Sequence, residues 1–342
     1  METLKLQQKY RWLVTGCAGF IGSHLAEFLL KNNQIVFGLD NFFNGSQNNL
    51  DEIVKNLTPE QLRNFKFVKG DIRDSLLCLE MTKEIDFVLH QAAVGSVPRS
   101  IATPDVTFDT NIKGFFEILN ASRINSVKKF IFASSSSVYG SIEDHLKTEE
   151  RIGQALSPYG WSKQTNETLA ANFRQVYNMN IIGLRYFNVF GPRQNPNGDY
   201  AAVIPKWITN FINNKQCFVF GTGNQSRDFC FVENVIQANI NSVLQPTSKT
   251  DPWIFNIAVG EQTSLLMLFE YIKKELESQK LSIKTKSNVY LEHKEARNGD
   301  VINSLANIER ARQFIKYQPL FNIKMGLIKT IDWYVNYKQM EL

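Results

Sequence analysis

Short apolar runs that stop at Gly, Asp, His or Ser recur through the first half of this chain, and helical spacing fills the gaps between them. Trp12–Thr15, Ile35–Leu39, Phe65–Val68, Phe87–His90, Phe130–Ala133 and Ile181–Arg185 read as strands, with helical patterns at 105–124 and 160–177. Buried strands alternating with helices require a parallel sheet covered on both faces, because parallel neighbours need a crossover and the crossover is usually a helix. Such sheets bind ligands at the carboxyl ends of their strands.

The first strand runs into Thr15-Gly16-Cys17-Ala18-Gly19-Phe20-Ile21-Gly22, and Ile21, Leu25, Phe28 and Leu29 then recur at helical spacing. Gly16 permits a sharp turn, Gly19 lets backbone approach a pyrophosphate, and Gly22 lets helix and sheet pack closely. The helix that follows offers free N–H groups and positive dipole character to phosphates. Asp40 ends the second strand 24 residues after Gly16. A carboxylate there accepts bonds from both ribose hydroxyls and repels a 2′-phosphate, so NAD is favoured over NADP; the competing role for Asp40 is to cap a turn. The fold class expected is α/β, a Rossmann-type doubly wound parallel sheet with a smaller C-terminal α/β domain. Beyond Phe190-Gly191-Pro192 the alternation fades into Gly, Asn and Pro-rich loops. The expected division is a dinucleotide-binding domain at 1–188, with a segment near 229–256 returning to it, and a substrate domain at 189–342.

Charge and cysteines narrow the function. The formal charge of +5 comes from 38 basic and 33 acidic residues, well interspersed, which describes a solvated surface rather than a nucleic-acid stripe. Cys17, Cys78, Cys217 and Cys230 have no paired spacing and no His cluster beside them, so neither a disulfide framework nor a metal site is expected. Reduced thiols suit a cytoplasmic protein. His24, Glu27 and three glycines interrupt the apolar stretch from Trp12 to Leu30, so no export signal or membrane span is read there.

Tyr159 and Lys163 stand four residues apart on one face of a helix that starts after Pro158. A free phenol titrates near ~10, too high for a base at neutral pH, so it needs positive charge nearby. Lys163 supplies that charge, together with an oxidised nicotinamide. A second Tyr-x-x-x-Lys, Tyr334 and Lys338, shows how easily the pattern arises by chance. The first copy differs in its company: Ser135, Ser136 and Ser137 end a strand, where hydroxyls can bond a substrate alcohol or carbonyl.

At these residues the chain resembles the extended branch of the short-chain dehydrogenase/reductase family, and within it the UDP-sugar 4-epimerases, most closely their UDP-N-acetylglucosamine 4-epimerase subgroup. The likeness runs from about Trp12 to Tyr334 and includes His90-Gln91-Ala92-Ala93, Ser96-Val97-Pro98-Arg99-Ser100, Arg185-Tyr186-Phe187-Asn188-Val189-Phe190-Gly191, Ala201-Ala202-Val203-Ile204-Pro205, Ser226-Arg227-Asp228-Phe229 and Arg297-Asn298-Gly299-Asp300. The resemblance implies that Tyr159 is the general base and acid, that Ser135 shares its proton network, and that Lys163 binds the nicotinamide ribose. It implies a cofactor site of Gly16, Gly19, Phe20, Ile21, Gly22, Asp40, Asn41, Asp71, Ile72, Gln91, Ala92, Ala93, Asn111, Tyr186 and Val189. Substrate would meet Ser96, Ser135, Ser136, Ser137, Asn188, Ala202, Val203, Phe218, Phe220, Arg227, Arg297 and Ser304, with the two arginines on the phosphates.

Ser136 and Ser137 stand where related dehydratases carry acids, which disfavours dehydration. Ser304 falls where epimerases restricted to plain hexoses carry a bulky aromatic, leaving room for an acetamido group. The implied reaction is C4 epimerisation of UDP-N-acetylhexosamines or their uronic acids. Competing readings are a UDP-uronic acid decarboxylase or net oxidoreductase, and a non-catalytic NAD sensor. Apolar residues at Phe108, Ile112, Phe115, Phe116, Leu119, Leu169, Phe173 and Val176 admit plain helix-on-sheet packing; the resemblance implies instead a four-helix bundle between subunits of a homodimer.

Overall fold

A computed structural model describes residue 6 and residues 8–197, 201–279, 289–295 and 303–340. The central sheet is wholly parallel, with strands β1 (Arg11–Thr15), β2 (Ile35–Asp40), β3 (Phe65–Lys69), β4 (Phe87–His90), β5 (Lys129–Ser135), β6 (Ile181–Tyr186) and β7 (Ile254–Ile257). Their spatial order is β7-β6-β5-β4-β1-β2-β3, so the order reverses beside β1 and opens a crevice at its carboxyl end. All six expected strands are present within two residues of their expected ends. The seventh, which pairs with β6 from Ile254↔Gly183 to Ile257↔Tyr186, arrives from far along the chain.

Helices α1 (Phe20–Lys31), α2 (Phe115–Ile124), α3 (Pro158–Tyr177) and α4 (Val232–Leu244) cover the sheet. α3 starts where it does for a local reason: Pro158 occupies the first turn, and the Ser157 hydroxyl accepts the Gly160 N–H at 3.1 Å. The expected helix at 105–124 is helical from Pro104 onward but contains a wider π turn over Asp109–Gly114. Phe115, Phe130 and Phe132 are fully buried between α2 and the sheet.

A second apolar cluster joins Trp207, Ile208 and Phe211 with Leu268, Phe269, Ile272, Leu327 and Ile331. Beside it lie a four-stranded sheet, ordered Thr263–Ser264, Ser226–Arg227, Asn303–Ala306, Leu146–Lys147, and a pair formed by Cys217–Phe220 and Leu291–Lys294. Val189–Phe190, shortly after β6, pairs with Cys230–Phe231, and Phe190 and Phe231 belong to this second cluster.

Candidate active site

The crevice beside β1 is a cavity of about 1170 Å³. Its floor is the glycine loop. Gly16 has φ +70, and a Cβ there would stand 2.8 Å from the Ala92 nitrogen; one on Gly22 would stand 2.0 Å from the Gly16 carbonyl oxygen. The loop therefore folds against itself and leaves its upper side open to a diphosphate, which fits the dinucleotide the sequence implies. Of the expected cofactor residues, Gly16, Gly19, Phe20, Ile21, Gly22, Asp40, Asn41, Ile72, Gln91, Ala92, Ala93, Tyr159, Lys163, Tyr186 and Val189 line this cavity.

Asp40 fixes the turn and also lines the cavity. Its carboxylate accepts the Ala18 N–H at 2.9 Å and the Phe42 N–H at 2.7 Å; burial raises its pKa. Two expected contacts are placed elsewhere. Asp71 is turned onto Arg73, which donates through Nε at 2.9 Å and Nη2 at 2.8 Å and holds the carboxyl down at about 2. Asn111 spends its amide on Val94, accepting its N–H at 2.8 Å and donating to its carbonyl at 3.1 Å, so it shapes the wall from behind. The sequence reading missed Phe43, Asn44, Gly45 and Ser46, which continue the wall after Asn41. The signal was the run Asn44-Gly45-Ser46, which begins four residues after Asp40.

At the other end of the cavity stand Ser135, Ser136, Ser137, Tyr159 and Lys163. Burial raises the Tyr159 pKa, and a hydrogen bond with Ser135 opposes that rise. The Lys163 ammonium lies 5.9 Å from the Tyr159 ring centre and donates to the Ala133 carbonyl at 2.8 Å. Burial pushes Lys163 down to about 8, opposed by the field of Glu167. The Tyr159 hydroxyl thus has a hydroxyl partner in Ser135, and its ring has a cation nearby. In the second Tyr-x-x-x-Lys, the buried Tyr334 gives its hydroxyl to the Gln194 carbonyl.

A second cavity of about 810 Å³ adjoins the first, and Asn188 borders both. Ser96, Val203, Phe218, Phe220 and Arg227 line it as expected. Asp228 is fully buried and accepts the Val259 and Gly260 N–H groups, each at 2.9 Å, which anchors the strand that carries Arg227. Lys206 and Lys294 also line the cavity, with Lys294 3.9 Å from the Phe218 ring centre. Three cations here suit a diphosphate. Lys294 was unreadable from spacing because it arrives on a strand paired in register with Cys217–Phe220. Neither Ala202, which caps the helix Val203–Ile212, nor Ser304 lines either cavity; Ser304 is 9% exposed and pairs with Arg227 on the neighbouring strand. Arg297 lies outside the described residues.

All four cysteines are buried and unpaired, no metal-binding cluster occurs among the described residues, and no described helix is long and apolar enough to cross a membrane. Arg99 donates to Asn44 Oδ1 at 2.6 Å and lies over the Phe43 ring, which directs it toward the cofactor side.

Comparison with known proteins gives one answer. Residues 12–258 match the NAD dependent epimerase/dehydratase family. A "Putative UDP-glucose 4-epimerase" of Methanocaldococcus jannaschii is 34% identical over 95% of this chain and 98% of its own. Among solved structures, a UDP-N-acetylglucosamine 4-epimerase from Methanobrevibacter ruminantium, in complex with UDP-N-acetylmuramic acid, is 33% identical with a TM-score of 0.86, covering 97% of this chain and 100% of that one. A UDP-glucuronic acid 4-epimerase from Bacillus cereus, in complex with UDP-glucuronic acid and NAD, is 28% identical with a TM-score of 0.82, covering 96% and 99%. With the glycine cradle, the Tyr159–Lys163–Ser135 group and a cationic second cavity beside it, the chain belongs to the NAD dependent epimerase/dehydratase family, whose cofactor is NAD, and UDP-sugar 4-epimerases are among its relatives.

Proposed function

We propose that the protein reversibly inverts C4 of UDP-N-acetylhexosamines, interconverting UDP-N-acetylglucosamine and UDP-N-acetylgalactosamine, with their uronic acids as further candidate substrates. Tyr159 takes the proton of the C4 hydroxyl, helped by Ser135 and by the charge of Lys163. NAD, held by the glycine loop from Gly16 to Gly22 and by Asp40, would supply a reversible hydride acceptor for C4. The cationic second cavity grips the diphosphate through Arg227, Lys206 and Lys294 and leaves the sugar end free to turn. The 4-keto sugar then presents its other face, and Tyr159 gives the proton back. Ser136 and Ser137 offer no acid that could expel a C6 hydroxyl, which argues against dehydration.

The choice of sugar rests on Ser304, a small side chain beside Arg227. Incubating the protein separately with UDP-N-acetylglucosamine, UDP-glucose and UDP-N-acetylglucosaminuronate and resolving the sugars tests it. The expected product is the C4 epimer of the N-acetylated substrate, with no carbon dioxide and no net NADH. Carbon dioxide from the uronate would establish the decarboxylase instead. Ser304→Tyr is expected to cut kcat/KM for the N-acetylated sugar by one to two orders of magnitude, roughly what a misfitted small group costs, while sparing UDP-glucose. Equal efficiency on both sugars would refute the size gate.

We further propose a homodimer and the two-domain division at residue 188. Phe115, Leu119 and Phe173 belong to the subunit's own core, so they no longer argue for a partner. Phe108 (50% exposed), Phe116 (40%) and Val176 (60%) remain on the surface of the same helices. Covering each stabilises by roughly 1.5–3 kcal/mol, enough together to favour pairing. Light scattering should give twice the monomer mass, and Phe116→Glu with Val176→Lys should halve it.

A further inference from the structure

Glu167 is the group in the catalytic neighbourhood that the reaction scheme above leaves unused. It sits one turn beyond Lys163 on α3, so Tyr159, Lys163 and Glu167 follow one another at four-residue intervals along a single face. Lys163 and Glu167 engage consecutive residues of β5. The Lys163 ammonium donates to the Ala133 carbonyl at 2.8 Å, and Glu167 Oε1 accepts the Ser134 hydroxyl at 2.6 Å.

The same carboxylate holds Arg185 of β6 through two parallel bonds, Nε to Oε1 at 2.9 Å and Nη2 to Oε2 at 2.7 Å, and both residues are buried. Arg185 continues to the Tyr139 hydroxyl at 3.1 Å, and Tyr139 to Asn256 Oδ1 at 2.6 Å. One carboxylate therefore ties the catalytic helix to three neighbouring strands, directly beneath Ser135 and Lys163. A bidentate Arg–carboxylate pair of this kind fixes orientation as well as charge.

The surroundings of Lys163 on each packed element are few. Tyr159 and Glu167 lie on its own helix, Ala133 to Ser135 on β5, Arg185 on β6 and His90 on β4. His90 bonds Thr15 Oγ1 at 2.8 Å, and burial, reinforced by the Lys163 charge, holds it near 3, so it is neutral and adds no charge. Glu167 is the neighbour whose charge favours the protonated form of Lys163.

We propose that Glu167 is a positioning residue for the epimerase reaction: its carboxylate keeps the Lys163 ammonium charged beside Tyr159 while locking α3 onto the strand that ends in Ser135. This rests on the acid–base role given to Tyr159. It makes Glu167 a determinant of the enzyme's alkaline limit. Once the carboxylate is gone, burial acts on Lys163 unopposed, Lys163 loses its proton at lower pH, and the phenolate loses its support.

The test compares the NAD-containing parent enzyme with Glu167→Gln, and with the double variant Glu167→Gln/Arg185→Met, which leaves no buried charge unpaired should the single variant fail to fold. Two readouts are taken: kcat and KM against pH on whichever UDP-sugar is epimerised, and the ultraviolet difference absorbance of the Tyr159 phenolate against pH, with Tyr159→Phe as blank. The alkaline limb of kcat should move down by about one pH unit or more, the shift an opposite charge at close range produces, with KM within about twofold. The phenolate should form at higher pH in both variants. A uniform fall in kcat with the limb and the phenolate titration at their parental pH would reduce Glu167 to a structural brace and overturn the proposal. Absence of turnover of any UDP-sugar by the parent would instead defeat the proposed function, leaving the absorbance titration to judge Glu167 by itself.

Discussion

Tyr159→Phe is expected to bind UDP-sugar as tightly as the parent enzyme and to turn it over slower by a factor on the order of 10²–10⁴, the range that a positioned acid–base group contributes. The phenyl ring keeps its packing against the crevice and under the Lys163 ammonium, so neither the fold nor the second cavity loses a contact. Only the oxygen disappears, and with it the group bonded to Ser135 that the proposed mechanism uses to take and return the C4 proton. Isothermal calorimetry with UDP-sugar, set beside steady-state kcat, separates the two quantities. Turnover within tenfold of the parent would show that another group, such as a serine-bound water, carries the proton. An equal loss in affinity would show that Tyr159 holds the ground state as much as it serves the reaction.

Gly22→Ala is expected to abolish NAD retention and to lower the melting temperature. The added Cβ would lie 2.0 Å from the Gly16 carbonyl oxygen, 2.7 Å from the Gly16 carbonyl carbon and 3.1 Å from the Cys17 Cα. Every atom it meets is backbone, so no rotamer change relieves the overlap. The helix must back away from the loop, at a cost of about 1–3 kcal/mol or more for overpacking, and the N–H groups at the start of α1 leave the position where a diphosphate would bind. Gly95→Ala is the matching control, because a Cβ there meets nothing within 4 Å although Gly95 also lines the cavity. NAD released by denaturing the purified proteins, with thermal melts of each, reads out both effects. Full NAD content in Gly22→Ala would mean the loop can open without losing its grip.

Tyr159 and Lys163 could be read from sequence because helix periodicity is local: four residues bring two side chains onto one face whatever lies around them. The glycine loop could be read for the same reason, as Gly16 needs a positive φ and Gly22 a close approach within a seven-residue span. Asp71 and Asn111 lie near the site expected of them, yet they bond elsewhere, because the direction of a short polar side chain is set by whichever partner the fold brings up. Phe43 to Ser46 belong to the wall through proximity to Asp40, which a turn signal could have suggested.

Residue order alone specified the parallel α/β sheet, the dinucleotide loop and the face of α3 that bears Tyr159 and Lys163, since all of these follow from apolar period, glycine placement and helical spacing over fewer than about twenty-five residues. Folding in three dimensions was needed to bring Lys163 onto Ala133 and Glu167 onto Arg185, and to converge Lys206, Arg227 and Lys294 on one cavity. Those contacts join segments well separated along the chain, and burial makes each depend on every other element being in place: a charged or polar group accepts the loss of water only where the folded chain supplies its partner.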